Sequence, residues 1–97
     1  MTIESFRILL ADDDATVRLL MHAALLKAGF QVTLACDGKE AVRLFETAPA
    51  DMVMLDVEMP GMDGYQVCSY LRAKIGNELP IMMVTGMDDM QSIDRAF

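Results

Sequence analysis

A doubly wound α/β fold with a parallel sheet is predicted for this chain by three observations. Four short runs, at residues 7–11, 30–35, 52–55 and 81–84, are apolar at nearly every position, as strands covered on both faces are. Between them lie segments whose apolar residues recur at three- and four-residue spacing, the period of an amphipathic helix. The two kinds of segment alternate, which implies parallel strands joined by crossover helices.

The elements follow in chain order. "RILLA" (7–11) has the length and character of a strand. Over 15–28, Val17, Leu20, Met21, Ala24, Leu25 and Ala28 recur at helical spacing, with Asp14 as the expected N-cap and Gly29 as the stop. "FQVTLA" (30–35) is the second strand. Asp37 then opens a second helix with Glu40 three residues on, the spacing of a capping box, and Ala41, Val42, Phe45 and Ala48 form its apolar stripe. "MVML" (52–55) is the third strand. Asp63 and Gln66 repeat the cap before a helix whose inner face is expected to hold Val67, Tyr70 and Leu71. Pro80 introduces "IMMV" (81–84), the fourth strand, and Asp88 with Gln91 caps one more helical segment that runs towards Phe97. Met52, Met54, Met82 and Met83 fall on strands and read as core filler. His22, on the first helix, reads as a surface residue.

Composition narrows the function. Ninety-seven residues, 54% hydrophobic and 24% charged, make one small globular domain, 1–97, with room for a modest core. A net charge of −7 without a Lys/Arg cluster gives no footprint for phosphate backbones or anionic lipid, so neither direct nucleic-acid binding nor membrane binding is expected. Cys36 and Cys68 are isolated and His22 is the single histidine, which excludes a conventional zinc site. Reduced thiols, together with an N-terminus lacking the basic start and long apolar core of a signal peptide, suggest a cytoplasmic protein.

In doubly wound folds, ligands sit beyond the carboxyl ends of the strands, near the point where strand order reverses. Asp12 and Asp13 end the first strand, Asp56 the third and Thr85 the fourth. The acidic triplet 12–14 taken alone suits a solvated helix start. Three carboxylates brought together repel one another, and a divalent cation is the simplest way to keep them ionised. Magnesium suits such a site, being a hard cation that takes oxygen ligands and keeps several waters. A strand-end carboxylate beside that metal, Asp56, is placed to attack phosphorus. The Thr85 hydroxyl is placed to bond a phosphoryl oxygen, and Gly86 leaves the approach open.

From "RILLADDD" through "LDVEMPGMDG" to "IMMVTG", the chain resembles the receiver domain of bacterial two-component response regulators. The resemblance implies a flavodoxin-like fold with strand order 2-1-3-4. It implies that Asp56 is the phosphoacceptor, that Asp12, Asp13, Asp56 and the backbone carbonyl of Glu58 surround magnesium, and that Thr85 is the switch hydroxyl. Pro60 and Gly64 would shape the loop, and the side chains of Glu58 and Met87 would border the phosphoryl group. A sensor histidine kinase or phosphotransfer protein would be the phosphodonor. In the family a fifth strand, ending in a lysine that pairs with the phosphoryl group, and a fifth helix follow. The 97 residues end before both, so the domain is expected to be shortened after its fourth helix. Lys39 and Lys74 lie on predicted helices and do not replace that lysine. The open fourth-strand edge and first-helix face then favour self-association.

Two other classes stand beside this one. A receiver-like module that signals by binding alone, without phosphorylation, is compatible with the missing lysine. A phosphatase of the haloacid dehalogenase type also uses a strand-end aspartate with an acid two residues on, here Asp56 and Glu58. Its nucleophile, however, belongs on the first strand, its second acid should be Asp, and it needs a longer chain.

Overall fold

The computed structural model describes residues 5–84. Thr85, Gly86, Met87 and the residues expected to form a helix capped by Asp88 and Gln91 lie outside the described residues. Seven elements alternate as the sequence predicts: β1 (Arg7–Ala11), α1 (Ala15–Lys27), β2 (Gln31–Ala35), α2 (Gly38–Thr47), β3 (Met52–Asp56), α3 (Gly64–Ile75) and β4 (Ile81–Val84). The sheet order is β2-β1-β3-β4 and all three pairings are parallel. The chain steps from β1 to β2 on one side and then returns past β1 to β3 on the other. The order therefore reverses between β1 and β3, where Ala11 is paired with Leu55.

Pleating sends alternate residues of each strand to opposite faces. On one face Leu9 and Ala11 of β1, Val53 and Leu55 of β3, and Ala35 of β2 pack with Ala41 and Phe45 of α2 and Val67 and Leu71 of α3. This is the core. On the other face Ile8 and Leu10 are buried, and α1 lies over β1 and β2. That helix covers only half of its face. Met54 shares the face with Leu10 and Met82, its register neighbours on β1 and β4, and exposure rises outwards: Met54 is half-buried while Met82 is 48% exposed. Met82 is thus not core filler, because its face lies beyond the reach of α1. Met83 points the other way and packs against the core.

All three helices start at the predicted cap residues, Asp14, Asp37 and Asp63. Asp14 accepts from the amides of Thr16 and Val17, and Asp63 with Gln66 closes a complete capping box. At α2 the box is not closed as predicted. Asp37 accepts from the Glu40 amide at 2.8 Å, but the Glu40 carboxylate reaches one residue further back, to the Cys36 amide at 2.9 Å. The α1 C-terminus ends in a Schellman motif: Phe30 N–H bonds Leu25 C=O, Gly29 N–H bonds Leu26 C=O, and Gly29 has φ 99°, which a glycine adopts without strain.

The predicted helix stripes are borne out unevenly. In α2, Ala41 and Phe45 are buried, whereas Ala48 is the exposed C-cap. In α3, Val67 and Leu71 are buried while Tyr70 sits half-buried at the edge, where its hydroxyl donates to Glu46 of α2. In α1 nothing is buried. Val17, Met21 and Leu25 are half-buried against the sheet, His22 is likewise half-buried rather than fully at the surface, and Leu20, Ala24 and Ala28 are exposed.

Candidate functional site

The register that pairs Ala11 with Leu55 brings the next residues, Asp12 and Asp56, side by side at the carboxyl edge of β1 and β3. Asp13 follows on the turn into α1. Carboxylate oxygens of Asp12, Asp13 and Asp56 all lie within 4.8 Å of one another. This is the crevice at the reversal of strand order, where doubly wound folds place their ligands.

Asp12 is the one buried charged residue among those described, 4% exposed. It is fixed from three sides: its amide donates to Ala35 C=O of β2 at 3.1 Å, its Oδ1 accepts from the Asp14 amide at 2.9 Å, and its carbonyl accepts from the Arg18 guanidinium at 2.6 Å. Asp13 is exposed and Asp56 half-buried. Burial, then the hydrogen bond shared with Asp13, then the charge of Asp12 push the Asp56 carboxyl up from its ordinary value to about 7, against a smaller lowering by the Glu58 amide. That amide lies 3.4 Å from Asp56 Oδ1.

Beyond Asp56 the chain turns through residues 57–63 into α3. Val57 donates to Val84 C=O and accepts from the Gly64 amide, so the loop is tied to both β4 and the start of α3. A Cβ on Gly64 would stand 2.3 Å from the Asp56 carbonyl oxygen. Only glycine lets α3 begin so close to the acid. Between this loop and Asp13 lies an open cleft of about 540 Å³, with Asp13, Glu58 and Asp63 as acidic members and Met59, Pro60 and Tyr65 among the apolar ones.

The structure brings together Asp12, Asp13 and Asp56. Glu58 is exposed on the rim of the cleft, and Thr85 and Met87 lie outside the described residues. Lys74 is engaged with Glu46 at 3.2 Å, on the surface joining α2 and α3. Sequence reasoning missed two contributors. Arg18 carried a signal, one helical turn beyond Asp14, but nothing in its spacing says that its side chain turns back to Asp12. The apolar lining of the cleft, with Tyr65 62% exposed, carried none.

The donor set suits a hard divalent cation. Its atoms are carboxylate oxygens, no histidine or cysteine belongs to the cluster, and the raised Asp56 shows the repulsion that a cation would relieve. Among the described residues, no helix is long and apolar enough to cross a membrane.

Comparison with known proteins bears on the same residues. The family model described as response regulator receiver domain matches residues 8–97. The response regulator MprA of Mycolicibacterium vanbaalenii is 44% identical over 84 residues, covering 87% of this chain and 36% of its own length. The chain spans about a third of the length of the curated relatives it matches. Among solved structures, the chemotaxis protein CheY4 of Vibrio cholerae superposes with a TM-score of 0.77 at 28% identity, over 94% of this chain and 79% of that one. The Francisella response regulator 1452 receiver domain gives 0.80 at 28% identity, over 94% and 74%. Both have the parallel sheet and flanking helices of the flavodoxin-like fold. With its family match running from β1 to the last residue and its acids gathered where strand order reverses, this chain belongs to the response regulator receiver domain family.

Proposed function

We propose that Asp56 is a phosphoacceptor that takes a phosphoryl group from the phosphohistidine of a sensor kinase or phosphotransfer protein, with magnesium held by Asp12, Asp13, Asp56 and the Glu58 backbone carbonyl. The observation that carries this is the convergence of the three carboxylates within 4.8 Å at the edge of the sheet. An Asp56 carboxylate oxygen attacks phosphorus, the P–N bond to the donor imidazole breaks, and its electron pair leaves with the imidazole, which is then protonated. Magnesium held by these acids would supply positive charge beside the phosphoryl oxygens. Ionisation of Asp56, opposed by its neighbours, goes with metal binding. The cleft beside Asp13, lined by both acidic and apolar residues, suits a donor segment that presents basic and apolar residues around its histidine. Thr85 is the switch hydroxyl in this proposal, and two free cysteines suit a reducing cytoplasm.

The test is covalent. Incubation with magnesium and a small acyl phosphodonor should add the mass of one phosphoryl group to the intact chain. The gain should disappear with chelator and in Asp56→Asn. A gain that persists in Asp56→Asn moves the acceptor elsewhere. If neither a small phosphodonor nor a phosphorylated kinase gives any gain, the module that signals by binding alone is the better reading.

A further inference from the structure

We infer that Arg18 is a positioning residue for the cation site: through the Asp12 carbonyl it locks the turn that carries Asp12 and Asp13 to the first turn of α1. This rests on the reading of those acids as magnesium ligands. Arg18 is bonded to the turn at two places. Its amide closes the first helical hydrogen bond, to Asp14 C=O at 2.9 Å, and its guanidinium reaches back six residues to Asp12 C=O at 2.6 Å. The second bond lies outside the helix and does not serve its cap, because Asp14 already accepts from Thr16 and Val17.

The bond falls on the residue with least freedom. Asp12 is buried, and a buried carbonyl needs a donor. Arg18 supplies one that is charged and therefore strong. The Asp12 side chain is bonded in turn to the Asp14 amide, so residues 12, 14 and 18 form one closed unit: carbonyl to guanidinium, carboxylate to amide, carbonyl to amide. One carboxylate oxygen can accept the Asp14 amide and still leave capacity for a metal. Removal of the guanidinium frees the Asp12 peptide to rotate. The carboxylates of Asp12 and Asp13 then lose the fixed placement that a small cation with strict geometry requires. Arg18 also brings positive charge towards the site, which by itself opposes a cation. The two effects have opposite signs, so experiment can separate them.

The test uses the full chain and magnesium alone, by calorimetric titration and amide chemical shifts, beside the melting temperature and amide exchange of the metal-free protein. Arg18→Met should raise the magnesium dissociation constant about tenfold, the range found for groups that orient metal ligands, and should speed exchange at the Asp14 amide. Arg18→Lys keeps a charged donor on a flexible stem, and since a single nitrogen makes the bond to Asp12, it should stay within about threefold of the wild type. A lower melting temperature with unchanged magnesium affinity in Arg18→Met would assign Arg18 to stability alone and overturn the inference. Tighter magnesium binding in Arg18→Met would overturn it too, by showing that charge repulsion outweighs positioning. A wild-type chain that takes up no magnesium would overturn the site itself, whereas wild-type binding with indifferent variants would remove only the role of Arg18. If Arg18→Met does not fold, Arg18→Gln, which keeps a neutral donor, takes its place with the same expected weakening.

Discussion

At the scale of single residues, Asp56 is held in a state that costs the fold. Its carboxyl titrates near 7 against an ordinary value of 3.8 because it is part-buried and faces Asp12 and Asp13. With the folded value above the unfolded one, this group's contribution to stability is fully present below about pH 4 and is lost as pH rises through about 7. Metal-free protein should therefore melt at a lower temperature at pH 8 than at pH 5. Asp56→Asn, which removes the ionisation, should be the more stable protein at pH 8, with the difference shrinking towards pH 4. Magnesium, which binds the ionised form, should restore the wild type at pH 8 and have little effect at pH 5. Melting curves at three pH values with and without the cation measure all of this. An Asp56→Asn protein no more stable than the wild type at pH 8 would show that the acids do not strain the folded state.

At the scale of elements, the helices are attached with very different firmness. α3 is anchored at both ends. Its first residue, Gly64, abuts the Asp56 carbonyl, and near its last turn the Arg72 guanidinium donates to Leu79 C=O at 2.5 Å and to Gly76 C=O at 3.2 Å. Arg72 thereby gathers the connection into β4, supplying one charged donor to the carbonyls of the C-cap Gly76 and of Leu79 beyond it. Arg72→Met should lower unfolding free energy by about 1–3 kcal/mol, the range for losing a part-buried hydrogen bond to a charged donor, and should do so without changing magnesium affinity. Urea denaturation with a parallel titration checks both statements. A change in magnesium affinity would mean that the α3–β4 connection reaches the acids through β3 and its loop.

At the scale of the whole molecule, the described residues leave two surfaces open. β4 pairs with β3 alone, so its outer edge presents backbone donors and acceptors. On α1, Leu19, Leu20 and Leu26 are 64%, 67% and 50% exposed, an apolar surface of the kind that marks an interface. Self-association of the 97-residue chain is the expected result. Light scattering after size exclusion should show a mass that rises above the monomer with concentration, and Leu20→Glu should oppose the rise if the α1 face takes part. A monomer of constant mass at every concentration would remove self-association from the proposal.

The sequence by itself determined the order and type of the elements, because apolar runs and helical spacing are local properties that any packing must respect. It also singled out Asp12, Asp13 and Asp56, since a strand that stops at an acid is visible in one dimension. Only the tertiary structure decided that these acids meet, because Asp12 and Asp56 lie far apart along the chain and become neighbours through the β1–β3 register. Tertiary structure also decided which methionines are core. Met82 and Met83 look alike in sequence, but α1 covers just the β1–β2 half of its face, which leaves Met82 exposed while Met83 packs beneath α3. At α2 it redirected a capping box, the Glu40 carboxylate finding the Cys36 amide instead of the one predicted. Arg18 was legible as a helix residue and no more. Its rotamer, and with it the bond to Asp12, is set by the turn between β1 and α1, which no local pattern describes.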